Sequence, residues 1–206
     1  MRELTEQERF WQGEFGDQYV DRNDGEVHVA NVTAFFAQAL RRAGRIDSVL
    51  ELGTNRGLNL RALNRLFPEA TLLGVELNAK ARDIAQALGI ADIWQGSLFD
   101  YPVQQPVDLA FTRGVLIHLP PELLPQAYAK LHEASHRHVL IAEYYSPSPV
   151  EISYRGHAGK LFKRDFAGEM LDLYPDLQLV DYGFVYRRDV NFPTDDINWF
   201  LLEKRP

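Results

Sequence analysis

The chain has 206 residues, 46% of them hydrophobic, a formal net charge of −7 and no cysteine. That length and composition suit one domain with a proper core; the acidic balance argues against broad nucleic-acid binding, which needs a basic face; the missing cysteines exclude disulfides, thiolate metal sites and a cysteine nucleophile. The charged start, Met-Arg-Glu-Leu-Thr-Glu-Gln-Glu-Arg, lacks the apolar stretch of a signal peptide and no apolar run reaches the ~20 residues that cross a bilayer, so the expected location is the cytoplasm, with no membrane partner.

Residues 4–22 read as a helical opening, with Trp11, Phe15 and Tyr19 on one face and Gly13 and Gly16 weakening it. Residues 26–43 are a stronger helix, with Val29, Val32, Phe36, Ala39 and Leu40 along one side. From residue 47 the pattern alternates. Strands are expected near 48–52, 71–76, 91–95, 107–112 and 137–144, and helices near 57–67, 79–88, 121–134 and 165–173. The first of these helices stops at Pro68, which cannot continue it. Two last strands, near 177–187 and 196–204, follow without a crossover helix and must be antiparallel to each other. The expectation is an α/β fold: a mostly parallel seven-stranded sheet with one antiparallel edge strand and helices on both faces. It forms a single domain, 1–206, with a helical cap over 1–45 and the core over 46–206.

The most informative stretch is Ser48-Val-Leu-Glu-Leu-Gly-Thr-Asn-Arg-Gly57: an apolar strand, a tight glycine turn and a helix start. Such a turn, at the carboxyl end of a strand, is where open α/β sheets bind ligands. The next strand ends in Glu76, whose carboxylate can accept hydrogen bonds from both hydroxyls of a ribose. Together these point to a nucleoside-containing cofactor. The spacing Gly53-x-x-x-Gly57 lacks the third glycine of a dinucleotide site, and no phosphate loop is present.

The Glu-x-Gly-x-x-x-Gly pattern resembles the first motif of class I S-adenosylmethionine-dependent methyltransferases, which implies a Rossmann-like fold and S-adenosylmethionine as cofactor. On that resemblance Glu51, Gly53, Thr54, Asn55, Gly57, Glu76 and Leu77 are candidate cofactor residues. Gly96, Ser97 and Leu98 after the third strand can meet adenine, and Thr112 and Arg113 floor the transfer pocket. Glu51 serves equally well as a plain acceptor for loop amides. His118, in the segment Val115-Leu-Ile-His-Leu-Pro120, stands near the cofactor's methionine end or the acceptor, or else packs among aliphatics.

The loop 143–165 leaves the fifth strand beside the cleft and mixes aromatics with Arg155, His157, Lys160, Lys163 and Arg164. Between 151 and 165 four positive charges face two negative ones, a basic island in an acidic chain that suits an anionic metabolite or is an ordinary solvated loop. An alcohol acceptor benefits from a general base, and His157 and His118 are the leading candidates, with Glu143 and Tyr144 next. Trp11, Tyr19 and Arg22 either contact substrate from a lid or pack as an amphipathic helix. His132, His136 and His138 have no acidic partner at metal-binding spacing, and no metal is expected.

Nearly the whole chain also resembles a methylase family associated with pseudaminic acid biosynthesis. The matching segments are Phe10–Gly16 through Arg22-Asn23, Leu50–Gly57, Gly114–Pro120, Tyr144–His157, Leu161–Met170, Val180–Gly183 and Asp195–Trp199. Ser146-Pro147-Ser148 departs from the Asn-Pro-Thr-like run expected there. This resemblance implies a sugar-acid or nucleotide-sugar acceptor and adds Tyr145, Arg155 and His157 to an acceptor pocket with Lys160. Methylation of a small amine or amino acid, and a non-catalytic S-adenosylmethionine-binding protein, are the alternatives. The oligomeric state is open between monomer and homodimer.

Overall fold

The computed structural model describes residues 2–21 and 25–205. Its central sheet has seven strands: β1 (Ser48–Leu52), β2 (Thr71–Glu76), β3 (Asp92–Gln95), β4 (Val107–Arg113), β5 (Ser135–Glu143), β8 (Leu177–Val185) and β9 (Ile197–Lys204). Strands β6 (Val150–Glu151) and β7 (Phe162–Lys163) form a separate small hairpin in the loop after β5. The sheet order is β3-β2-β1-β4-β5-β9-β8. Strands β1 to β5 are parallel, whereas β9 runs antiparallel to both β5 and β8. The reversed strand therefore lies one position in from the edge, in an antiparallel edge pair with β8. A hairpin has closed on the sheet with its second strand innermost.

Among the described residues seven α-helices accompany these strands: α1 (Glu6–Gln12), α2 (Glu14–Val20), α3 (Glu26–Ala39), α4 (Leu58–Leu66), α5 (Ala79–Ala87), α6 (Leu124–Ala134) and α7 (Phe166–Leu173). Alternation along the strands divides the core in two. Val49, Leu109, Leu140 and Trp199 point to the face covered by α3, α4 and α5. Leu50, Ala110, Val139 and Leu202 point to the face covered by α6 and α7. This is the continuous apolar patterning of strands buried on both sides.

The expected N-terminal cap divides in two. Helix α3 buries Val29, Val32, Phe36 and Ala39 in the sheet's core. Helices α1 and α2 instead lie over the carboxyl ends of the parallel strands. They are separate helices, because Gly13 ends the first and starts the second. Thr5 and Glu8 form a reciprocal capping box on α1 (Glu8 N to Thr5 Oγ1 3.1 Å, Thr5 N to Glu8 Oε2 2.7 Å). Helix α6 starts at residue 124, after a short 3-10 turn over Pro121–Leu123, and runs straight into β5. Among the described residues no helix is long and apolar enough to cross a membrane.

Candidate functional site

The glycine turn is built for close approach. Gly53 has φ of 86°, and a Cβ added there would stand 2.5 Å from Val115 Cγ2. Gly57, at φ 82°, starts α4 in the left-handed region that glycine enters at little cost. The Gly53 and Thr54 amides donate to Val75 O at 2.9 and 3.0 Å, tying the turn to β2. Glu76 then bridges two loops: Oε2 accepts from the Asn55 amide at 2.6 Å and Oε1 from the Asn78 amide at 2.7 Å. Burial raises the pKa of this carboxyl while the loop amides pull it down. Each oxygen keeps a second lone pair, so the carboxylate is aimed and still able to accept from two more donors.

These groups line a cavity of about 210 Å³ over the carboxyl ends of four strands. Gly53–Arg56 come from β1, Glu76–Asn78 from β2, Gly96–Phe99 from β3 and Arg113–Val115 from β4. Helices α1 and α2 roof it with Gln7, Glu8, Trp11, Gly16, Tyr19 and Val20. The roof is fastened on all sides. Asn78 Nδ2 donates to Asp17 Oδ1 at 2.8 Å, Arg56 Nη1 to Val20 O at 3.0 Å, Lys160 Nζ to Glu6 Oε1 at 2.6 Å and Gln7 Nε2 to Gly159 O at 3.2 Å. At the β3 end buried Glu8 accepts from Ser97 Oγ and from Arg2, whose Nη1 lies 2.9 Å from Oε2. Burial opposes ionisation of Glu8, but the bonds from Arg2, Ser97 and Thr5 prevail and hold its pKa at about 2. Glu8→Ala is expected to speed amide exchange of the roof helices by ~10-fold or more, the worth of a charge-assisted bond. Hydrogen exchange resolved to residues 2–21 checks this; unchanged protection would deny Glu8 a fastening role.

Beneath the turn, Glu51 is fully buried and does not line the cavity. Its Oε1 accepts from Asn59 Nδ2 at 2.5 Å, and its Oε2 has no partner. Burial pushes its pKa up to about 8, so the acid is neutral through most of the physiological range. A folded pKa above the unfolded one means that stability is lost as pH rises between about 4.5 and about 8. Glu51→Gln is therefore expected to melt higher than the wild type at pH 9, with the gap closing at pH 5. Parallel melts at the two pH values test this, and a gap independent of pH would contradict a buried neutral acid.

His118, in the 3-10 turn over Leu116–His118, lines the cavity. Its Nδ1 lies 2.6 Å from the Lys160 carbonyl, which can only accept, so Nδ1 carries the proton and Nε2 a lone pair. Burial lowers its pKa to about 4. Its ring meets Trp11 at 4.6 Å and Tyr154 at 4.9 Å between centroids.

Of the expected cofactor residues, Gly53, Thr54, Asn55, Glu76, Leu77, Gly96, Ser97, Leu98, Arg113 and His118 line the cavity, as do Trp11 and Tyr19 from the acceptor set. Glu51, Gly57 and Thr112 lie behind this lining. Arg22 falls outside the described residues. Glu143 is buried and accepts from the amides of Val115 at 3.0 Å and Leu116 at 3.1 Å, capping the turn that carries His118. Tyr144 and Tyr145 do not line the cavity, and Lys163 Nζ sits over the Tyr144 ring at 5.2 Å. His157 is exposed and packs on Phe10 and Phe15 at 5.1 and 5.8 Å, outside the cavity.

The basic island is partly neutralised, because Lys160 pairs with Glu6 and Arg164 with Glu169. Arg155 stays exposed, with its Cζ 5.6 Å from the centre of the Tyr154 ring, and its pKa is raised chiefly by Tyr154 and less by Tyr19 and Asp195. No group of three or more His, Asp or Glu able to hold a metal occurs among the described residues. Sequence reasoning missed Glu8, His28, Asn59 and Asn78, all of which line the cavity. The capping signatures Thr5-x-x-Glu8 and Asn78-x-x-Ala81 were readable, yet they signal helix starts and not what those starts face.

Residues 49–137 match a family described as a methyltransferase domain. No curated protein matches the sequence. The fold is similar to that of magnesium protoporphyrin IX methyltransferase of Synechocystis PCC 6803 with bound SAH, at 13% identity and a TM-score of 0.70, covering 96% of this chain and 97% of that one. It is also similar to 1,6-didemethyltoxoflavin-N1-methyltransferase of Burkholderia thailandensis, at 17% identity and 0.73, covering 100% and 93%. A third likeness is to the plantazolicin methyltransferase BpumL, at 13% identity and 0.64, covering 97% and 94%. Residues 49–137 thus match a methyltransferase-domain family, and the chain has the Rossmann-like fold of the S-adenosylmethionine-dependent methyltransferases it is similar to.

Proposed function

We propose that the protein transfers the methyl group of S-adenosylmethionine to an oxygen or nitrogen of a small anionic metabolite of the sugar-acid or nucleotide-sugar class. The observation that carries the cofactor reading is the cavity spanning the ends of β3, β2, β1 and β4, with the loop-aimed Glu76 in its middle. Residues and cofactor fit. Glu76 offers two acceptors for vicinal hydroxyls, the Gly96–Phe99 exit offers apolar and backbone groups for a base, and the turn at Gly53 leaves no room for a Cβ. When bound there, the cofactor supplies an electrophilic methyl group on a sulfonium.

The chain's own part is to exclude water, orient and receive a proton. The roof closes the site, and positioning of the acceptor supplies much of the rate. His118 presents the Nε2 lone pair to an acceptor hydroxyl and takes its proton as the new bond forms. Because the ring is neutral, it adds no charge repelling a sulfonium.

For the acceptor, Arg155 and Asp195 with Tyr154 make a polar rim beside the roof residue Tyr19. A hydroxyl-rich anion suits such donors and acceptors, and the resemblance to the pseudaminic acid-associated family points to the same class. Calorimetric titration with S-adenosylmethionine and with NAD, followed by a methyl-transfer screen over sugar acids, nucleotide sugars and amines, tests the reading. Binding of the first cofactor alone and turnover on a sugar acid are expected. Exclusive turnover on amines would replace the acceptor class, and failure to bind S-adenosylmethionine would end the proposal.

A further inference from the structure

Glu143 closes β5 and is 2% exposed, yet it does not line the cavity. Both of its oxygens face the turn that carries His118. Oε1 accepts from the Val115 and Leu116 amides at 3.0 and 3.1 Å, and Oε2 from the Ile117 amide at 3.4 Å. The first N–H groups of such a turn find no acceptor within it. Here they lie among buried side chains, Leu116 and Ile117 included, where they need a partner from the protein. One side chain supplies it for all three.

The turn closes with His118 N on Val115 O at 2.9 Å, and its root is tied to β5 by Gly114 N on Ala142 O at 2.9 Å. The ring has a second hold, Nδ1 donating to Lys160 O at 2.6 Å. His118 thus hangs from two points: its backbone from the end of β5 and its ring from the loop that follows. A single bond at Nδ1 fixes the tautomer but lets the ring swing about it. The backbone anchor decides where the far nitrogen lies. Burial pushes the Glu143 pKa up to about 7, the amides pulling the other way. The hold does not depend on that charge, because a protonated carboxyl keeps an accepting oxygen and Oε1 alone takes the two shorter bonds.

We infer that Glu143 is a positioning residue, which aims His118 Nε2 into the cavity by holding the amides of residues 115–117. This rests on the reading of His118 as the proton acceptor and adds to it a residue that touches neither cofactor nor acceptor. A misplacement of about 1 Å can cost ~100-fold in rate, so an acid outside the chamber governs what happens within it.

The test compares wild type with Glu143→Leu, which has no acceptor, and Glu143→Gln, which keeps an oxygen in the place of Oε1. Each is also made in the His118→Phe background. Methyl transfer to glucuronate reads turnover. Heteronuclear NMR of the histidine ring nitrogens, with and without S-adenosylhomocysteine, reads the His118 tautomer, its signal assigned by its loss in His118→Phe. Wild type is expected to show one neutral tautomer, protonated on Nδ1. Glu143→Leu blurs that signature into a mixture and lowers kcat by about 10- to 100-fold. Glu143→Gln recovers most of both. In the His118→Phe background Glu143→Leu costs less than about twofold more, because the residue it acts through is gone. Should the leucine variant not fold, Glu143→Asp, whose carboxylate stops one methylene short of the amides, is expected to show the same losses in weaker form.

Losses that add across the two sites, a His118 signature unmoved by the leucine and aspartate changes, or a glutamine variant no better than leucine would overturn the inference. If wild type binds no S-adenosylhomocysteine or moves no methyl group to glucuronate, it is the proposed function that fails, while the ring signature of the free protein still decides whether Glu143 aims His118.

Discussion

Replacing Glu76 by alanine is expected to weaken S-adenosylhomocysteine binding by about 100-fold or more, the largest single loss at the cofactor site. Two ligand hydroxyls lose a charged acceptor, each such bond being worth about 1.5–3 kcal/mol. The buried amides of Asn55 and Asn78 also lose the group that aims both loops, at 2.6 and 2.7 Å. The conservative Glu76→Gln change does not rescue, because one end of the amide turns an N–H donor toward a backbone donor. Titration calorimetry with S-adenosylhomocysteine reads the loss. A drop below threefold in both variants would mean that Glu76 only braces the loops.

Replacing His118 by phenylalanine is expected to lower turnover on a hydroxyl acceptor by about 100- to 1000-fold, within the usual worth of a placed general base. Cofactor affinity changes little, because the ring packs with Trp11 and Tyr154 and phenylalanine keeps that packing. The pH dependence separates this role from a structural one. The neutral ring is the competent form, and its pKa is held at about 4 by burial. Activity therefore stays level from neutral pH down to about 5 and falls only below that. An unperturbed histidine would already lose activity near 6.5. An acid limb between pH 6 and 7 that disappears in His118→Phe would contradict the buried, neutral reading. A limb that survives the substitution would assign the proton to another group.

Much of the fold was legible because it is written locally. Each parallel strand is an apolar run bounded by turn residues, and five of them fall within two residues of expectation at either end. The glycine turn and Glu76 were readable for the same reason: chemistry, spacing and strand end coincide in one short segment. What the sequence hid is non-local. Nothing in the runs 177–187 and 196–204 says that the second strand slots in beside β5 while the first takes the edge. The bond between Glu8 and Ser97 joins residues 89 positions apart, and no periodicity foretells it. The charges after β5 looked available because their partners, Glu6 and Glu169, lie on other elements. His157 and His118 looked alike in sequence, and only the folding of the 150–163 hairpin against α1 sets one outside the cavity and the other inside.

The double roof also means that two short helices shape the way into the cavity. With α1 and α2 pinned at the ends of β1, β2 and β3 and to the loop after β5, Gln7, Glu8, Trp11, Tyr19 and Val20 form a wall facing the strand ends. A segment far in sequence from the glycine turn thus completes the chamber that the turn opens onto.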